Sequence, residues 1–264
     1  MKSRKLVTIL LIGAGVLVIL VCLAPAVFPQ DPGADALFAK ANLAYSKGDY
    51  DTALARYREI SEKYGVSAAL FYNMANAWYH KKDLGQAVLH YQRALFLAPS
   101  ARDARANLAL AKKDFGIICL PESFWGRLFG MFSLNQWTWI ASGAFACFCF
   151  LFFLLELVPK DRETGASRLP GALLKWGSVL CLAAFLCAGA GVFAHASDLK
   201  KAVVTGLGVR LQVSPFDAAQ SAASLKQGKL VYTGKTYSGY VHVRDDSGRS
   251  GWVKDSDLTP VVPR

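Results

Sequence analysis

The stretch ANLAYSKGDYDTALARY at residues 41–57 recurs in altered form as ANAWYHKKDLGQAVLHY at residues 75–91, displaced by 34 residues. A fixed period of this length is typical of arrays in which helix–turn–helix units stack on one another. Each copy predicts two helices joined by a short turn, at residues 47–50 in the first copy and 82–85 in the second. Identities in register include Ala41 and Ala75, Asn42 and Asn76, Tyr45 and Tyr79, Ala53 and Ala87, and Tyr57 and Tyr91.

These residues resemble a known repeat family. The run Gly48-Asp49-Tyr50-Asp51-Thr52-Ala53-Leu54 is similar to the turn and second-helix start of the tetratricopeptide repeat (TPR). The second unit also has the family's aromatic residue at Trp78, whereas the first unit departs from the pattern at Ile60 and Gly65. The resemblance implies structural roles, in close helix packing and filling between layers, for Ala41, Gly48, Ala53, Tyr57, Ala75, Ala87, Tyr91, Ala94 and Pro99.

The resemblance implies a TPR domain at residues 31–116. Its repeats would be 34–67 and 68–101, followed by a helix at 102–115 that is either a cap or a truncated third repeat. Because such arrays normally need about three repeats to bury a core, we expect support from elsewhere. A protein partner, a second copy of the chain, or an aromatic segment near the membrane would supply it.

TPR arrays generally bind peptides along the concave face made by their first helices. Carried over to this chain, that face consists of Phe38, Asn42, Tyr45, Tyr72, Asn73, Asn76 and Tyr79. Two of the asparagines match polar positions of the TPR clamp that binds a C-terminal carboxylate. The clamp's basic positions hold Phe38, Asp103 and Asn107 instead, which argues against that variant. The alternative is that these side chains close the core of an undersized array.

Three apolar blocks predict membrane insertion, and they account for a hydrophobic content of 53%. Residues 1–27, with a basic start, read as a signal peptide or an N-terminal anchor. Residues 137–158 and 173–196 are each long enough to cross a bilayer as a helix. The loop between them, 159–172, is short and basic, so the positive-inside rule places it in the cytoplasm. Both flanking domains then lie outside the cytoplasm.

Residues 117–136 form an aromatic linker ahead of the second block. Tryptophan is favoured at the headgroup level of a bilayer, and an amphipathic segment can lie in that interface. The linker is therefore interpreted as interfacial, or alternatively as a connection whose aromatic side chains pack on the helical domain.

From residue 199 to residue 264 the pattern changes to short β-prone runs separated by turn residues. Five strands are predicted, at residues 202–205, 209–213, 230–233, 240–243 and 251–254, which suggests a small barrel. The run Gly251-Trp252-Val253 after a hairpin, with Tyr240-Val241-His242-Val243 before it, resembles the bacterial SH3 domain. The resemblance implies Tyr240 and Trp252 as partner-binding residues, with closure of the barrel as the alternative role of Trp252.

The chain carries no recognisable catalytic motif. The four histidines are scattered without zinc spacing, no Gly-rich phosphate loop follows a strand, and five of the six cysteines lie in apolar blocks. Cys119 stands apart from them. We therefore expect no catalytic residue, no metal and no cofactor. The net charge of +11 is partly a topology signal, so nucleic acid is not an expected partner.

The expected fold class is a multidomain membrane protein with a helical TPR array, transmembrane helices and a small all-β SH3-like barrel. This order resembles the BatE-type proteins of the aerotolerance (Bat) operons. That resemblance implies a periplasm-facing, multi-pass protein of the bacterial inner membrane. Its implied partners are the lipid bilayer, membrane proteins with von Willebrand A domains and, indirectly, a MoxR-type AAA+ ATPase.

Two functions follow as hypotheses. The first is a non-enzymatic scaffold for an envelope complex linked to oxidative or envelope stress. The alternative is a cell-wall sensor whose SH3 domain binds peptidoglycan peptides.

Overall fold

The computed structural model describes residues 31–117, 124–157 and 169–262. These residues form two units, one of residues 31–117, 124–133 and 195–262, and one of residues 134–157 and 169–194. The predicted N-terminal segment 1–27, Cys119 and most of the predicted basic loop lie outside the described residues.

The first unit begins with five helices. They are α1 (Pro32–Ser46), α2 (Tyr50–Lys63), α3 (Ala68–His80), α4 (Leu84–Leu97) and α5 (Arg102–Asp114). The helix positions agree with the two helix–turn–helix units and the additional helix that the sequence predicts.

The 34-residue repeat extends to the backbone of the turns. Gly48 and Lys82 occupy equivalent positions after α1 and α3, and both have positive φ, of 80° and 63°. Asp49 and Asp83 follow them, and each side chain accepts a hydrogen bond from a backbone N–H, of Thr52 and of Gln86, both at 3.1 Å. Such capping satisfies a donor that the first turn of a helix otherwise leaves unpaired. The second turn therefore keeps the geometry of the first although it lacks the glycine.

The paired small residues lie where the helices are closest. The four alanines shared by the two units are completely buried, at 0% exposure for each of Ala41, Ala53, Ala75 and Ala87. Tyr57 and Tyr91 are each 1% exposed. The core of the first hairpin and the adjacent part of α3 is a continuous apolar cluster that includes Leu54, Leu70 and Met74.

Within the described residues, three further helices follow, α6 (Phe124–Phe129), α7 (Leu134–Leu157) and α8 (Leu169–Ala196). The segments Leu134–Leu155 and Ala172–Lys200 are long and apolar enough to cross a membrane. In the second unit α7 and α8 contact each other, for example through the rings of Phe145 and Phe185, whose centroids are 5.3 Å apart. Large apolar side chains elsewhere on α8 face outward, with Phe193 82% exposed and Leu173 72% exposed.

In the described part of the aromatic linker, backbone carbonyls contact a buried histidine and Ile117 packs on the helical core. Phe124 and Trp125 are 65% and 62% exposed, and their rings meet edge-on with centroids 5.4 Å apart. His195, 8% exposed, places Nε2 3.1 Å and 3.0 Å from the carbonyl oxygens of Phe129 and Phe132. Its Nδ1 lies 2.7 Å from the Asp198 carboxylate.

An antiparallel sheet of seven strands completes the first unit. Its strands are β1 (Lys201–Val204), β2 (Val209–Gln212), β3 (Ser221–Leu225), β4 (Leu230–Tyr237), β5 (Tyr240–Asp245), β6 (Ser250–Lys254) and β7 (Leu258–Pro260). They lie in the order β3-β2-β6-β5-β4-β1-β7. The prediction of five strands was incomplete because it missed β3 and β7. The first is rich in alanine and serine, and the second has only three residues, so neither carries a clear alternating pattern.

Strand β1 contributes to two different cores. Ala202 and Val204 belong to the sheet's own apolar cluster, with Val231, Val243 and Val253. Val203 points to the other face of the strand, as the alternation of side chains in a strand requires. There it joins a cluster with Leu84 and Val88 of α4 and with Val261 after β7. Helices and sheet therefore share an apolar core.

Hydrogen bonds accompany this shared core. Arg93 on α4 donates from Nε to the carbonyl oxygen of Val261, at 3.0 Å, and from Nη2 to that of Pro260, at 3.1 Å. Gln227, between β3 and β4, donates from Nε2 to the Asp83 carboxylate at 3.3 Å. The support that we expected from a partner, a second copy or the aromatic segment thus comes from the sheet of the same chain.

Substitution of Gly85 tests the packing of α4 against the sheet. A Cβ at this position would lie 3.0 Å from the backbone Cα of Thr205 and 3.0 Å from Cγ of Gln227. In an isolated helix, Gly→Ala stabilises by at most about 1 kcal/mol. We expect Gly85→Ala in the full chain to lower the thermal unfolding temperature instead, because the Cβ pushes α4 away from the sheet. An increase in that temperature would contradict the packing.

Candidate partner-binding surface

The seven residues predicted to bind a partner lie on two helices of the array. Phe38, Asn42 and Tyr45 are on α1, and Tyr72, Asn73, Asn76 and Tyr79 are on α3. We call these seven residues the first-helix surface, since α1 and α3 are the first helices of their hairpins.

Hydrogen bonds between asparagine and tyrosine side chains cross this surface in a repeating pattern. Asn42 Oδ1 accepts from the Tyr57 hydroxyl at 2.6 Å and from Asn73 Nδ2 at 3.2 Å. One repeat later, Asn76 Oδ1 accepts from the Tyr91 hydroxyl at 2.6 Å and from Asn107 Nδ2 at 3.1 Å. Each asparagine oxygen therefore links its own hairpin internally and also links it to the next first helix.

Burial keeps the donor hydroxyls of this network protonated. Burial, and then the nearby Tyr45, raise the pKa of Tyr57 to about 12. Burial and the neighbouring Tyr72 raise the pKa of Tyr91 as well. Both hydroxyls are consequently protonated at neutral pH and donate to Asn42 and Asn76.

A hydrogen bond from Asn107 connects α5 to α3. Asn107 lies 34 residues after Asn73 and makes the equivalent hydrogen bond, and its Nδ2 also donates to the Tyr72 hydroxyl at 3.1 Å. In this hydrogen bond α5 is therefore related to α3 as α3 is to α1. In the sequence, the comparison with the clamp marks Asn107 only as a position without the basic residue, whereas its 34-residue spacing from Asn73 is the signal for this hydrogen bond.

Aromatic rings cluster at one end of the first-helix surface. The rings of Tyr50 and His80 stack with centroids 5.0 Å apart, and Tyr45 meets Tyr50 edge-on at 5.5 Å. Tyr79 contacts His80 at 5.8 Å and donates its hydroxyl to Asp114. Tyr45, Tyr50 and Tyr79 are half-buried and His80 is exposed. We call Tyr45, Tyr50, Tyr79 and His80 the aromatic end; its rings are partly accessible to a bound segment, as are the half-buried Phe38 and Tyr72.

The two predicted residues of the sheet differ in accessibility. Tyr240 is only 6% exposed, and its hydroxyl donates to Asp217 at 2.7 Å. Trp252 is half-buried and meets His242 edge-on, with centroids 5.2 Å apart. Strand pairing sets His242 opposite Trp252 and Tyr240 opposite Lys254, so all four residues share the outer face of β5 and β6. Tyr240 is thus placed as a supporting residue rather than as an exposed contact.

Within residues 31–117, 124–157 and 169–262, no group of three or more His, Cys, Asp or Glu side chains is arranged to hold a metal ion. Four cysteines in these ranges are free thiols, at positions 147, 149, 181 and 187.

Comparison with models of known protein families finds no match, and a search of curated proteins finds none either.

The asparagine–tyrosine network predicts how substitutions at Asn76 and Tyr91 change the stability of the fold. Asn76→Ala removes the acceptor of the Tyr91 hydroxyl, which is buried, so we expect a loss of about 1–3 kcal/mol in the free energy of unfolding. Tyr91→Phe should cost less, because it leaves no buried donor unpaired. Adding Tyr91→Phe to Asn76→Ala should therefore recover part of the loss in a denaturant titration. A neutral Asn76→Ala variant would contradict the structural role.

Proposed function

We propose that this chain is a non-enzymatic, membrane-anchored scaffold that binds a protein partner on the first-helix surface. In this proposal the helical hairpins are TPR units and the sheet is a bacterial SH3-like domain. The two modules act as one binding body, held at the bilayer by α7 and α8.

The observation that carries the proposal is the packing of α4 against the sheet. The helical array precedes the two apolar helices in the chain, and the sheet follows them. Two crossings return the chain to the side from which it started, so an array and a sheet that share Val203, Leu84 and Val88 in one core must lie on one side. This is the arrangement that two spanning helices produce. A single crossing would separate the modules.

Charge gives the orientation within the proposal. The sequence between the two helices contains Lys160, Arg162 and Arg168, and cytoplasmic loops carry an excess of such residues. The array and the sheet would then face the periplasm of a bacterial inner membrane. This order of modules resembles BatE-type proteins, and the resemblance supports a place beside von Willebrand A domain membrane proteins and a MoxR-type ATPase in an envelope complex.

The chemistry of the surface supports a protein ligand. Rings that are half-buried and carry hydroxyl groups, such as Tyr45 and Tyr79, give contact area together with hydrogen bonding, which is why tyrosine is enriched at protein interfaces. The alternative of a cell-wall sensor receives less support, because Tyr240 on the sheet is buried and already bonded to Asp217.

Site-specific photocrosslinking in native membranes tests the proposal. The photoreactive residue p-benzoylphenylalanine is placed at Tyr45 on the aromatic end, and at Tyr64 as the control. Tyr64 is also a tyrosine and 43% exposed, but it follows α2 outside the first-helix surface.

We expect irradiation to join a distinct membrane protein to the Tyr45 position and not to Tyr64, with mass spectrometry identifying the product. Recovery of the chain alone, or the same products from both positions, would show that the first-helix surface binds no partner.

A further inference from the structure

A half-open cavity of about 410 Å³ lies on the opposite side of α3 from the first-helix surface. Phe71, Met74 and Trp78 form its α3 wall. Their spacing of three and four residues places them on one helix face, whereas Tyr72, Asn76 and Tyr79 lie on the other. We call this cavity the back pocket.

Two guanidinium groups border the back pocket, and each lies over an aromatic ring. Arg58 of α2 is 5.6 Å from the ring centroid of Trp78, and Arg93 of α4 is 5.7 Å from that of Phe71. Arg93 uses Nε and Nη2 to bind the sheet. Arg58 is exposed, and among the described residues nothing accepts a hydrogen bond from it or forms an ion pair with it. Among the described residues neither guanidinium forms an ion pair, and only that of Arg93 donates a hydrogen bond.

Buried polar atoms at the pocket wall also lack partners. His90 is 6% exposed, and its Nδ1 is buried without a hydrogen-bond partner among the described residues, as is Nε1 of Trp78. Buried polar atoms normally have a hydrogen-bond partner, so an atom without one is an unusual feature of a folded protein. Burial, and then Arg93 and Arg58, lower the pKa of His90 to about 3, so its ring is neutral. The pocket wall therefore combines a neutral, buried imidazole with two positively charged guanidinium groups.

One carboxylate also borders the pocket, and it is already engaged. Asp83 Oδ1 accepts from the backbone N–H of Gln86 at 3.1 Å and from Gln227 Nε2 at 3.3 Å. The other polar residues of the wall, Ser61 and Gln86, are neutral. Two guanidiniums against one engaged carboxylate leave the pocket with a net positive charge.

We propose that the back pocket binds a short segment of a partner protein in which an acidic side chain stands next to an apolar one. The carboxylate would lie between Arg58 and Arg93, and the apolar side chain would lie on Phe71, Met74 and Trp78. A volume of about 410 Å³ is within the range of pockets that hold small ligands, and such pockets combine apolar walls with a few placed polar groups. Charge complementarity selects the acidic residue.

This inference rests on the proposed function in one respect, because it takes the ligand to be a protein. The two sites lie on opposite faces of α3 and are tested by different variants. Loss of binding at the back pocket therefore leaves the crosslink at Tyr45 intact, and failure of that crosslink leaves the back pocket open to test.

NMR of the full chain in lipid nanodiscs provides the test, with the indole N–H resonance of Trp78 as the reporter. The Trp78→Phe variant assigns that resonance among those of the six tryptophans. The probe is the capped peptide acetyl-Ser-Asp-Phe-Leu-Ser-Gly-amide. Two control peptides replace its Asp by Asn, or its Phe and Leu by Ser, and inorganic phosphate tests for an anion alone.

We expect the Asp-Phe peptide to shift the Trp78 resonance saturably and each control peptide to bind at least tenfold more weakly. Arg58→Gln should weaken binding of the Asp-Phe peptide about tenfold, as loss of one charge-assisted hydrogen bond does. Arg56→Gln is the control on the same helix, because Arg56 carries the same charge and does not line the pocket, although it is more buried than Arg58. It should leave the affinity within about twofold.

Three results would overturn the inference. They are no shift of the Trp78 resonance by any peptide, equal weakening by Arg56→Gln and Arg58→Gln, and a shift by phosphate as strong as that by the Asp-Phe peptide. Arg58 is exposed, so its substitution is not expected to unfold the array. An unchanged thermal unfolding temperature verifies this.

Discussion

The apolar core shared by α4 and the sheet is the interaction on which the rest of the structure depends. Two hairpins and one further helix are a small array, and arrays of this kind bury their apolar faces only by stacking. Here the outer face of α4 is covered by Val203 and Val261, with Arg93 bonded to two backbone carbonyls of the sheet. The sheet thus takes the place that further repeats would have, and it joins two distant parts of the chain into one unit.

Much of this fold could be predicted from local pattern. The 34-residue spacing of Ala41 and Ala75 gives both hairpins, because small residues recur where helices approach closely. Alternation of apolar residues gives the longer strands. The packing of Val203 on α4 could not be predicted, since Ala202, Val203 and Val204 form an unbroken apolar run and periodicity cannot assign a partner to each face. The strands β3 and β7 were missed because their short or small-residue sequences carry little hydrophobic signal.

The candidate sites also contain features that local sequence pattern predicts and features that only the packing of helices reveals. Residue types at repeat positions correctly placed Asn42, Asn73 and Asn76 on adjacent first helices, but not their hydrogen bonds, which join side chains 15 and 31 residues apart. Those bonds give the asparagines a structural function, while the aromatic end and the exposed Asn42 keep part of the surface accessible. The back pocket was invisible to motif reasoning, because Arg58 and Arg93 converge only when α2, α3 and α4 pack together.

Amide hydrogen exchange of the full chain tests most directly whether helices and sheet are one cooperative body. Val203 and Val204 are adjacent, chemically identical and both 0% exposed, but they face the shared core and the sheet's own core, respectively. Val203→Ala should accelerate exchange in both β1 and α4, whereas Val204→Ala should accelerate it in the sheet with a smaller effect on α4. If Val203→Ala leaves α4 as protected as Val204→Ala does, the helical array does not depend on the sheet, and the central claim is wrong.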